Sequence, residues 1–202
     1  MPLCHPHRCR GCGGEVDKFG THGLSCVNVA APGRNARHAA INEILKRACA
    51  SANIPAILEP EGTFRDDGKK PDGLTLIPWS KGKCLLWDST CADTLAASYL
   101  NSTSRSPGAA AQSRELQKRR KYAKVTNMYK FCPFGVETLG PFGEDALDLV
   151  KDLGRRLRDA TKEPRYQSFL VQRISLAIQR GNATCVLATI AHTSNLNEIH
   201  LL

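Results

Sequence analysis

Two short apolar runs, Leu74-Thr75-Leu76-Ile77 and Leu85-Leu86-Trp87, lie on either side of the turn-like Pro78-Trp79-Ser80-Lys81-Gly82. Their length and their branched and aromatic residues read as two adjacent strands of a hairpin. An aspartate borders each run: Asp72 in Lys70-Pro71-Asp72-Gly73, and Asp88 in Trp87-Asp88-Ser89-Thr90. Paired neighbouring strands can bring two carboxylates to one edge of a sheet. In a basic protein, such a pair is a way to hold a divalent metal against a phosphate. As surface strand ends the two aspartates would have no such role; the rest of the chain favours a site.

The 202 residues suit one compact domain with small appendages, and 42% hydrophobic with 23% charged residues is a globular composition. Lys and Arg number 28 against 19 Asp and Glu, a formal charge of +9. Much of the excess is local: Arg105, Arg114, Lys118, Arg119, Arg120, Lys121, Lys124 and Lys130 face a single acid in that stretch, Glu115. Such a block can be a solvated helix face, but its density favours a polyanionic partner, DNA first and RNA as the alternative. No apolar run is long enough to span a membrane. The amino terminus opens on His and Arg rather than an apolar segment, so the expected location is nuclear or otherwise intracellular, not secreted.

Nine cysteines is an odd number, and four of them fall within the first 26 residues, a clustering that points to a metal site in a reducing compartment. Cys9 and Cys12, then His22 and Cys26, supply the ligand types and the two close pairs of tetrahedral Zn2+. Four protein ligands close the shell, so the site reads as structural, with the metal supplying folding energy to a module too short for a core. Cys4, His5 and His7 lie near enough to substitute for the first ligand. Cys49, Cys84, Cys91, Cys132 and Cys185 sit singly in apolar surroundings and read as small buried hydrophobes.

After a loop over 30–33, apolar spacing predicts a helix over 36–52, stopped by Asn53 and Pro55. A first strand over 56–59 leads to the charged loop over 65–70, and the hairpin follows. Residues 101–108 read as a flexible loop and 109–124 as a helix. A fourth strand over 131–138 contains Pro133 and Gly135, which suit an edge or a bulge. Helices are expected over 143–160 and 165–180, the second broken or capped by Gly181-Asn182 and followed by a short apolar segment over 186–190. The expected fold is therefore α/β, a small mixed sheet flanked by helices, in the order helix, three strands, helix, strand, with carboxy-terminal helices.

The Cys-Cys-His-Cys knuckle, Arg37-His38 opening a helix, Lys70-Pro71-Asp72 and the later Asp88 together resemble the restriction-like endonuclease domain of site-specific non-LTR retrotransposons. The resemblance implies a PD-(D/E)xK nuclease core over 34–140, a zinc knuckle over 1–30 and a helical extension over 141–202. It further implies Mg2+-dependent nicking of target DNA, with Asp72 and Asp88 binding the metal. The nuclease pattern places a lysine two residues after the second acid, but here that position is Thr90. In this family the lysine comes from the following helix, where Lys118 and Lys121 share a face. Arg119, Arg120 and Lys124 would hold phosphates, and Arg37 and His38 would contact a phosphate or anchor their helix. Glu59 is a possible additional carboxylate, with Glu61 and Glu43 weaker candidates. The alternative is a catalytically inactive zinc-knuckle protein that binds nucleic acid on the same scaffold. No reverse transcriptase segment is present, so a truncated element copy, a separate domain and a co-opted gene all remain open.

Overall fold

The computed structural model describes residues 2–61 and 70–190, so residues 65–69 of the expected charged loop lie outside the described residues. The chain begins with a small hairpin, β1 (His7–Arg8) and β2 (Glu15–Val16), and a one-turn helix, α1 (Thr21–Ser25). Helix α2 (Ala31–Ser51) follows, then β3 (Ala56–Leu58), β4 (Gly73–Thr75) and β5 (Leu85–Ala92). Next come α3 (Ala97–Thr103), α4 (Ala109–Lys121), a 3-10 turn over Ala123–Asn127 and β6 (Lys130–Glu137). The long helices α5 (Glu144–Thr161) and α6 (Tyr166–Leu187) close the described chain.

The four longer strands form a mixed sheet in the order β3-β4-β5-β6, antiparallel except for the parallel pair β5 and β6. Side chains alternate along β5, so Leu85 and Trp87 enter the central core while Leu86 faces the other side. The central core joins Ile41 and Leu45 of α2, Phe134 and Val136 of β6, Leu153 of α5 and Ile174 of α6. Opposite it, Leu86 packs with Tyr122, Val125 and Phe131 beneath α4 and the 3-10 turn. The architecture is thus a small mixed α/β sheet flanked by helices. Helices α5 and α6, expected as an extension, supply part of the central core itself. Among the described residues, no helix is long and apolar enough to cross a membrane.

Several expectations are corrected. Helix α2 starts at Ala31, so 30–33 is not wholly a loop: Pro32 fits the first helical turn, where no N–H partner is needed. Part of the expected loop over 101–108 is the end of α3. Helix α6 runs straight through Gly181-Asn182 and takes in the start of the expected apolar segment. A Cβ at Gly181 would lie 2.6 Å from Cβ of Arg37 and 2.9 Å from the carbonyl oxygen of Gly33. The glycine is there because α2 crosses α6 at that point, and the packing outweighs the helix propensity it sacrifices. Pro133 sits in β6, an edge strand, where its missing N–H costs no ladder bond.

Candidate functional site

The amino-terminal turns bring Cys9, Cys12, His22 and Cys26 into one cluster, all ligand atoms within 4.8 Å of one another. The sulfur of Cys26 lies 3.9 Å from that of Cys9 and 3.8 Å from that of Cys12. A tetrahedron with Zn–S bonds of about 2.3 Å has edges of about 3.8 Å. His22 presents Nε2 3.1 Å from the Cys12 sulfur. Gly14 donates its N–H to that sulfur at 3.4 Å, and a Cβ on Gly14 would crowd both ligands. Burial pushes the Cys26 thiol up, but the N–H groups of Asn28 and Val29 and the neighbouring thiols outweigh it and bring its pKa down to about 7. Three thiols and an imidazole at these spacings can hold a metal such as Zn2+. The nearby alternatives point elsewhere: Cys4 donates to the Asp17 carbonyl, and His7 bonds to Thr189.

The second cluster forms where β4 gives way to the segment before it. The Asp72 N–H donates to the Trp87 carbonyl, 3.0 Å, which sets Asp72 beside Asp88 across the hairpin. Gly73 permits this approach, since a Cβ there would lie 2.0 Å from the Trp87 indole. Oδ2 of Asp72 accepts the Ser89 N–H and lies 2.9 Å from Nε2 of His38 on α2. Oδ1 of Asp88 receives the Lys118 ammonium of α4 at 2.7 Å, and the Tyr122 hydroxyl also bonds to Asp88. The two carboxyls lie close enough to influence each other's ionisation.

Their environments push the pair apart in pKa. Burial opposes ionisation of Asp72, but the hydrogen bond and charge of His38 and the Ser89 N–H hold it below the ordinary carboxylate value. Burial raises Asp88, and the Asp72 charge adds to this while Lys118 opposes it; the net shift is upward. Asp72 in turn raises His38, against the effect of burial. The two carboxyls therefore titrate as a coupled pair, Asp72 giving up its proton more readily than Asp88.

Asn42, 5% exposed, underlies the cluster. Its Oδ1 accepts the Ser89 hydroxyl at 2.6 Å and the Trp87 indole N–H at 3.2 Å, and its amide nitrogen faces the His38 ring. Below α4, Glu115 accepts the N–H groups of Gly135, Asp145 and Ala146 at 3.0–3.1 Å. It thereby caps α5, ties α4 to β6, and stands one turn before Lys118. Asn42, Ser89, Tyr122 and Glu115 were not singled out from sequence. Asn42 lies one helical turn after His38, and that spacing was the only local signal available.

The other expected residues are spread out. Of the two roles open to Arg37, the phosphate contact is corrected and the helix anchor fits: only 2% exposed, it donates to Asn182 of α6. His38 belongs to the carboxylate cluster. Lys121 is exposed, and Lys118 is the lysine that meets Asp88. Arg119 pairs with Asp145, while Arg120 and Lys124 are exposed on the same segment. The Glu59 N–H bonds to the Asp72 carbonyl, but its backbone φ of 47° breaks the strand geometry that would align the side chains. Glu61 pairs with Lys70, and Glu43 pairs with Arg47, a helical turn away on α2. No protein-family model matches the chain, and no curated protein is significantly similar to it.

Proposed function

We propose that this chain is a metal-dependent endonuclease that nicks DNA, on a restriction-endonuclease-like core of the kind found in site-specific non-LTR retrotransposons. The observation that carries the proposal is the convergence of Asp72, Asp88 and Lys118, drawn from three parts of the chain. In this reading Asp72 and Asp88 hold Mg2+, which when bound lowers the pKa of a water and offsets charge on the phosphate. His38 and the Ser89 N–H both engage Oδ2 of Asp72 and so hold that carboxyl in place. Lys118 is the group placed to orient a water or to neutralise charge developing on the phosphoryl oxygens. Arg120 and Lys124 are its outer phosphate contacts, and the zinc knuckle is structural. Nuclear action in a reducing compartment belongs to the same proposal.

A second reading, a non-cutting nucleic-acid-binding module, draws on one specific feature. Each carboxyl already has a basic partner, His38 for Asp72 and Lys118 for Asp88, so the cluster is balanced without a cation. Nicking of supercoiled plasmid with Mg2+ separates the two. Wild-type chain should nick, while Asp72→Ala and Asp88→Ala should bind DNA undiminished but not cut. Lys118→Met should cost about 100-fold or more in rate, and Lys121→Met much less. Nicking that persists in both alanine variants refutes the nuclease reading. DNA binding without any wild-type cleavage establishes the binding module instead.

A further inference from the structure

Helix α6 presents a stripe that no other described element covers. Phe169, Leu176 and Leu187 are 36%, 56% and 46% exposed. Arg173 and Arg180 stand between them, and the spacing of the five residues puts them all on one helical face. The close crossing of α2 and α6 at Gly181 leaves a groove beside it of about 430 Å³. That volume lies in the range of ligand pockets, about 300–1,000 Å³. Ala36, Ala40 and Ile44 of α2 and Leu176, Ala177 and Gly181 of α6 line it, and the exposed Arg47, Arg173 and Arg180 complete its wall.

Charge decides what fits there. Helix α6 has no acidic residue among its 22. The single acid of α2 is Glu43, already held by Arg47 at 2.7 Å. Among the described residues, neither Arg173 nor Arg180 meets a carboxylate. A second copy of α6 would set arginine against arginine. A phosphate backbone would suit the arginines but leave the apolar floor unfilled. We propose that the groove between α2 and α6 docks an acidic amphipathic helix of another protein, the helix-in-groove mode of recognition. An apolar residue of that helix enters beside Leu176, and its carboxylates meet Arg173 and Arg180. The two arginines are two helical turns, about 10 Å, apart along α6. The partner therefore carries Asp or Glu at i and i+7 with a large apolar residue midway. The groove lies across the sheet from α4, so this docking is independent of the nucleic-acid face.

The test is a display library of peptides of about 15 residues, long enough to be helical, panned on the zinc-loaded full chain. Enriched sequences should carry the i, i+7 acidic pattern around an apolar residue. Their affinity, read by fluorescence anisotropy, should fall about tenfold or more in Leu176→Glu and in the double variant Arg173→Glu with Arg180→Glu. It should be unchanged in Arg120→Gln. All these positions are exposed, and unaltered zinc content and melting temperature verify that each variant is folded. No enrichment, enrichment of basic or acid-free peptides, or binding that both groove variants retain overturns the proposal. A short DNA duplex separates the remaining occupant. Its affinity should change by no more than about twofold when Arg173 and Arg180 both become Gln. A fall of about tenfold would make the groove part of the nucleic-acid face and overturn the proposal as well.

Discussion

Replacing Glu115 with glutamine should change both the stability of the protein and how that stability depends on pH. Glu115 is 2% exposed and accepts three backbone N–H groups from β6 and the start of α5. Burial outweighs these donors and pushes its pKa from 4.5 up to about 7. The folded state therefore holds the proton more tightly than the unfolded chain. The stability this provides is complete below the unfolded pKa and is lost as pH rises through about 7. At 1.36 kcal/mol per pKa unit, the loss is on the order of 3 kcal/mol. Glutamine cannot titrate, so this slope vanishes. It also presents an amide nitrogen where Oε2 accepted the Asp145 N–H, a mismatch that costs about 1–3 kcal/mol. Unfolding in guanidinium at saturating zinc, from about pH 5 to about pH 8, should show Glu115→Gln less stable at the acid end. The gap should narrow or invert toward the alkaline end. Zinc-linked protons contribute equally to both proteins and cancel in the difference. A difference that stays constant across that range would refute the reasoning.

The metal cluster should hold one zinc per chain, measured by elemental analysis after purification without chelator. Cys12→Ser should lower the zinc content and the melting temperature together. Folded protein without zinc would end the structural-zinc reading. DNA affinity should fall steeply with salt, and Arg120→Gln with Lys124→Gln should flatten the log-log salt slope by about one unit per lost phosphate contact. Arg119→Gln should matter less, because Arg119 already spends its charge on Asp145. Salt-independent binding would count against a nucleic-acid partner.

Much was legible in the chain because it depends on neighbours in sequence. The zinc ligands come as two close pairs, so short turns suffice to gather them. The helical periods of α2 and α6 follow from backbone geometry, which the spacing of apolar residues reveals. The aspartates flanking a hairpin had to come near one another for the same reason, since antiparallel pairing is local there. Propensity failed where packing decided. Gly181 reads as a helix break, yet α6 continues through it because only glycine admits the crossing with α2. Arg37 and His38 are consecutive on one helix, but helical rotation buries the first against Asn182 and turns the second to Asp72. Lys118 and Lys121 looked equivalent in sequence, and the placement of α4 over the sheet selected Lys118 for Asp88. The hydrogen bonds of Asn42, Tyr122 and Glu115 join segments far apart in the chain. No local pattern encodes such contacts, because their partners and directions exist only once helices and sheet have packed into one arrangement.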